Sequence, residues 1–156
     1  MTIKIGLSKK DLERSIKNLT VVLSNKMILY VKLRKFHWNV SGNSFMELHK
    51  LFEDQYNNIE HSIDEVAERI SKLGGKTIGT MKDFLEHTTL KESTKYESQE
   101  NMLTELLSDH EAIITNTRKM IVNMEKDSED FGTIDFLTSL MQLHESQAWM
   151  IRNYLS

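Results

Sequence analysis

His37, His49, Glu53, Asp64 and Glu68, with Trp38 beside the first histidine, bring imidazole nitrogen and carboxylate oxygen into the first half of a 156-residue chain. That donor set suits iron in both common oxidation states, and a site with few protein ligands leaves positions open for water and an oxidant. On a helix entered near Ser44, His49 and Glu53 share a face, as do Asp64 and Glu68, each pair being four residues apart. His49 and Asp64, however, are separated by fifteen positions, which is about 22 Å at 1.5 Å per residue. If these side chains form one site, two copies of the chain must build it.

The elements that carry them read as long helices. Proline is absent, so nothing breaks the helical hydrogen-bond ladder from within. A first helix starts at Ser8, with Asp11 as a capping partner, and its stripe of Leu12, Ile16, Leu19, Leu23, Met27, Tyr30 and Leu33 continues onto His37. The segment Asn39 to Asn43 contains Gly42 as a stop. A second helix runs from about Ser44 to Leu73 with Phe52, Tyr56, Ile59, Ile63, Val66 and Ile70 on its apolar face and Gly74, Gly75 at its end. Measured from His49 at 100° per residue, Glu53, Glu60, Asp64 and Glu68 lie at about 20° to 100°, beside the apolar face at about 260° to 340°. A polar stripe thus flanks the core stripe.

Residues 74 to 97 form a long connection in which Thr80 to His87 makes a short helix with Met81, Phe84 and Leu85. A third long helix covers roughly Ser98 to Met124, and a fourth starts at an N-cap Thr133 and runs to the C-terminus. No strand pattern, repeat or linker interrupts this series. The expected fold is an all-α four-helix bundle with one crossover, formed by residues 1–156 as a single domain.

Composition narrows the function further. With no cysteine, thiolate clusters, disulfides and thiol catalysis are absent, so any metal chemistry uses oxygen and nitrogen ligands. A formal net charge of −3 gives no overall attraction to nucleic acid or an anionic membrane. Neither a signal-like N-terminus nor an apolar run long enough to span a bilayer is present, and the expectation is a soluble, cytoplasmic protein. His110 and His144 sit inside apolar stripes and read as satisfied core or boundary histidines, whereas His61 and His87 read as solvated. Glu-x-x-His occurs nowhere in the chain, which argues against a di-iron site enclosed in one bundle.

The segment from Phe36 to Gly75 carries His37-Trp38-Asn39-Val40-x-Gly42, Phe45-x-x-Leu48-His49, Phe52-Glu53-x-x-Tyr56 and Asp64-x-x-Ala67-Glu68-Arg69-x-x-x-Leu73-Gly74. These coupled motifs closely resemble the Dps family of mini-ferritins, and the similarity continues through Met81-Lys82-x-Phe84-Leu85 and Gln147-Ala148-Trp149-Met150. The resemblance implies a ferritin-like bundle assembled into a hollow dodecamer. Such a shell oxidises Fe(II), with H2O2 preferred over O2, and stores the ferric product inside. It further implies that His37 and His49 bind iron from one subunit and that Asp64 and Glu68 come from the two-fold mate. Glu53 stands where many relatives have aspartate and is expected as a ligand or as a water-bridged acceptor. Trp38 has two readings, an oxidisable residue near the site or an interface-packing aromatic.

Glu125, Asp127, Glu129, Asp130 and Asp135 crowd into eleven residues before and within the start of the last helix. By itself this is a solvated acidic loop that favours a helix N-terminus. By resemblance it lines three-fold pores that admit cations, with Asp130 and Asp135 aligning best and Asp127 beside them. Relatives that compact DNA use a lysine-rich terminal extension, whereas only Lys4, Lys9 and Lys10 lie near the start here. DNA binding is therefore expected to be weak or absent. Three functions stand against one another: an iron-oxidising and iron-storing enzyme, a DNA-condensing protein with incidental iron binding, and a structural helical oligomer whose histidines are merely packed.

Overall fold

The computed structural model describes residues 3–156, so the first two positions of the expected domain lie outside the described residues. Five helices follow one another: α1 (Lys9–Asn39), α2 (Phe45–Lys72), α3 (Met81–His87), α4 (Gln99–Glu125) and α5 (Phe131–Leu155). Helices α1 and α2 form one hairpin, α4 and α5 form another, and α3 lies in the crossover between them against α1. The architecture is the all-α four-helix bundle with a short extra helix in the long connection. Among the described residues, no helix is long and apolar enough to cross a membrane.

Local chemistry sets most boundaries where the residue types place them. Ser8 Oγ accepts from the Asp11 backbone N–H at 3.1 Å to open α1, and Thr80 with Asp83 forms a complete capping box on α3. Ser98 caps α4 through the Asn101 N–H. Helix α1 gives way at Val40 to a turn in which Gly42 has φ +115°, and α2 ends at Gly74 with φ +82°. Both are conformations that a side chain opposes. Ser44 precedes α2 as expected, but its hydroxyl makes no capping bond.

The last helix departs from expectation. It starts at Phe131, two residues before Thr133, because Asp130 is the N-cap and its carboxylate accepts from the Thr133 N–H at 3.0 Å. An aspartate caps better than a threonine, and Thr133 spends its hydroxyl on Arg69 instead.

Two apolar clusters fill the bundle. One gathers Leu29, Leu33, Phe36, Phe52, Ile59 and Leu106; the other gathers Leu19, Leu23, Val66, Ile70, Leu137 and Leu140. Between them lies a buried polar layer containing Lys26, Ser62, His110 and His144. The two histidines are core residues, as their stripes predict.

Candidate metal centre

The turn after α1 folds α2 back so that the last turn of the first helix lies against the first turns of the second. His37 and His49 meet there with their rings stacked, centroids 3.7 Å apart and planes 20° apart. Each holds the other's backbone. His37 Nδ1 donates to the His49 carbonyl at 2.8 Å, and His49 Nδ1 donates to the His37 carbonyl at 2.9 Å. A carbonyl oxygen can only accept, so each Nδ1 carries a proton and Nε2 is the nitrogen left to present a lone pair to a metal. This is how metal-binding histidines are commonly oriented, by a bond to the nitrogen that does not ligate.

Aromatic side chains wall the pair. Tyr56 stands edge-on to His37 at 5.3 Å, and Phe45 lies 5.0 Å from His49. The Arg34 guanidinium sits 4.6 Å from the Tyr56 ring centroid, 5.5 Å from that of Trp38 and 5.6 Å from that of Tyr30. Trp38 and Met46 are 65% and 71% exposed, and Phe45 is also exposed. These residues give the site an apolar rim of the kind that marks an interaction surface.

The carboxylates are distributed as the spacing requires. Glu53 is half-buried one turn beyond His49, whereas Asp64 and Glu68 are exposed farther along α2, with Glu68 paired to Lys72 at 2.9 Å. Because α2 is unbroken from Phe45 to Lys72, the separation of about 22 Å between His49 and Asp64 stands. Among the described residues, no three histidine, aspartate or glutamate side chains converge on one point within the chain.

A family model described as a ferritin-like domain matches residues 16–156. The DNA protection during starvation protein of Brevibacillus brevis is 34% identical over 149 residues, which cover 92% of this chain and 99% of the relative. The chain belongs to the Dps family of ferritin-like proteins. The crystal structure of a Dps protein from Bacillus brevis superposes with a TM-score of 0.90 at 30% identity, covering 96% of this chain and 99% of that one. The Dps protein of Vibrio cholerae O1, described as a member of a broad superfamily of ferritin-like diiron-carboxylate proteins, gives 0.93 at 26% identity over 99% and 97% of the two chains.

In this Dps chain the acidic segment before α5 resolves into different roles. Asp130 is only 2% exposed. Its carboxylate accepts from Ser15 Oγ at 2.6 Å and from the Arg69 guanidinium at 3.2 Å, besides capping α5. Burial opposes ionisation, but the Ser15 and Thr133 bonds and the Arg69 charge outweigh it and hold Asp130 below the usual carboxylate range. Asp130, expected at a pore, thus has its carboxylate buried and bonded to Ser15, Arg69 and Thr133 of its own subunit. Asp127 is exposed and clamped by Arg14 at 2.5 Å and Lys10 at 2.8 Å, bonds that keep it well below the usual range. Asp135 is exposed on the first turns of α5.

Arg34 and the fully buried Lys26 were not singled out from the sequence, and Tyr56 was read only as an apolar-face residue and a member of the Phe52-Glu53-x-x-Tyr56 motif. The signal for Lys26 was available: it follows Leu23 by three and precedes Leu29 by three, inside the apolar stripe of α1.

Proposed function

We propose that this Dps-family chain is a ferroxidase and iron store that oxidises Fe(II), with H2O2 as the preferred oxidant, at sites shared between two-fold-related subunits. The observation that carries this reading is the stacked His37–His49 pair. Its two Nδ1 protons are pinned to backbone carbonyls, and among the described residues no carboxylate cluster of its own chain completes a binding set. Two antiparallel copies of α2 across a two-fold axis would bring Asp64 and Glu68 of one subunit to His37 and His49 of the other. Glu53, one turn from His49, would bind iron directly or through water. The apolar rim of Trp38, Phe45 and Met46 supports burial of this region in such a dimer.

Iron is the substrate here, and the donor set fits it. Two Fe(II) supply two electrons to one H2O2; the O–O bond breaks, two protons are taken up, and two waters form with two Fe(III). Delivery of both electrons at one site avoids the one-electron route that releases hydroxyl radical. The imidazoles and carboxylates hold the two ions together, and the aromatic wall limits the side from which water reaches them. In a dodecameric shell, Asp135 is the one of the three aspartates Asp127, Asp130 and Asp135 whose carboxylate is not held by a partner among the described residues of its own subunit, and it would draw Fe(II) toward a three-fold pore. Protection of DNA would then follow from removal of Fe(II) and peroxide in the cytoplasm, without condensation of DNA by a chain of net charge −3.

The test is anaerobic loading with Fe(II) followed by a pulse of H2O2. Ferric absorbance should rise rapidly in wild type and roughly 10 to 100 times more slowly when His37→Ala and Asp64→Ala are combined. Unchanged initial rates in the double variant would remove these residues from the site.

A further inference from the structure

Four helices meet at the polar layer that divides the core. Lys26 of α1 is fully buried, with Nζ 2.9 Å from Ser62 Oγ of α2 and 3.0 Å from His144 Nε2 of α5. His144 Nδ1 lies 2.9 Å from His110 Nδ1 of α4, and His110 Nε2 faces Gln55 Oε1 of α2 at 3.4 Å. The Gln55 amide nitrogen is buried without a partner.

The hydrogen bonds run in one direction. An ammonium only donates, so His144 accepts at Nε2 and carries its proton on Nδ1. That N–H donates to His110 Nδ1, and His110 in turn donates from Nε2 to the Gln55 carbonyl. Both imidazoles are neutral while Lys26 is charged. Burial, reinforced by the Lys26 charge, pushes His110 down to about 3 and His144 well below its ordinary value. No carboxylate touches the ammonium; Glu65, which acts on it through space, is exposed.

A cation facing a neutral imidazole Nε2, with a hydroxyl beside it and the other imidazole N–H anchored by a further partner, has the surroundings in which a histidine presents itself to a metal ion. We propose that the core of each subunit is a cation site whose resident cation is the Lys26 ammonium, and that Lys26 keeps divalent metal out of the bundle. The lone pairs that a metal would need already face Nζ. A dication entering beside them would meet like charge in a medium of low dielectric. The carboxylates that bundle-core metal sites employ are also missing from this layer. The inference rests on the shared-site reading only for where iron is bound instead.

The test uses Co(II) as probe in full-length protein carrying His37→Ala and His49→Ala, so that the shared site contributes nothing. Metal content and d–d absorption are read at about pH 6, below the value of about 7 to which burial lowers Lys26, so that the ammonium form prevails. The parent should take up no Co(II) in its core. Lys26→Glu, which exchanges the ammonium for a carboxylate beside His144 and Ser62, should gain one Co(II) per subunit and a higher thermal midpoint when Co(II) is added. Lys26→Met, which keeps the volume without charge or a hard donor, should gain none, and Lys26→Glu with His144→Ala should lose the gain. Folding of Lys26→Glu only in the presence of Co(II) is also an expected result. Core uptake by the parent, no gain or rescue in Lys26→Glu, or a gain independent of His144 overturns the proposal. The readout is metal content rather than iron oxidation, so failure of the shared-site reading would not mimic its failure.

Discussion

Nδ1 of His37 and Nδ1 of His49 each hold the other residue's carbonyl, so the bonds that orient the ligands also staple the end of α1 to the start of α2. The type and spacing of these histidines were legible in the sequence. Their mutual bonding was not, because it depends on how the turn around Gly42 superposes two helix ends. Asp130 and Asp135 teach a related lesson, since charge alone grouped them but burial separates them. Asp130→Ala should destabilise the fold by at least about 1–2 kcal/mol through loss of the cap, with a further loss from Arg69 left partly buried beside it. Chemical denaturation measures this directly. Asp135→Asn should leave the denaturation midpoint within about 0.5 kcal/mol of wild type while slowing Fe(II) uptake; equal stability losses in the two variants would contradict the division of roles.

Across the bundle, helix boundaries were readable wherever a serine, threonine or glycine acts locally: Ser8, Thr80, Ser98 and Gly74 all lie at element ends. The start of α5 was not, because Asp130 wins the capping position through tertiary partners on α1 and α2 that no local pattern shows. Lys26 was passed over by a reading that sorts charge to the surface, although its place in the apolar stripe of α1 marked it. Its burial has a consequence for pH. Desolvation lowers Lys26 from its ordinary value of 10.5 to about 7. Between those values the unfolded chain binds a proton that the folded chain does not, so stability is lost as pH falls from 10.5 through about 7 and is flat below. His110, lowered from 6.5 to about 3, adds a second loss as pH falls through that lower window. Denaturation midpoints should therefore rise with pH between 7 and 10, and Lys26→Met should flatten that rise. An unchanged slope in Lys26→Met would show that another group carries it.

For the whole assembly, the storage reading requires an enclosed volume. Native mass spectrometry should find a particle of about twelve subunits, because a dimer could complete the shared site but could not enclose a mineral. The same particle should leave plasmid DNA unretarded in a gel at about 0.15 M salt, where surface charges separated by more than roughly 8 Å are screened. Retardation by iron-free protein under those conditions would move the function toward DNA condensation. These expectations belong to this scale because sequence pattern specifies the subunit well and its neighbours only through what the subunit lacks.

That lack has a genetic consequence. In a two-fold dimer, a subunit carrying His37→Ala and a partner carrying Asp64→Ala would place both defects in one site and leave the other intact. Each variant alone would be inactive, yet random reassembly of an equal mixture should recover roughly one quarter of the wild-type sites. Two dead proteins that restore each other on mixing would reveal a shared site without a single measurement of distance; a site built within one chain would leave the mixture as inactive as its parts.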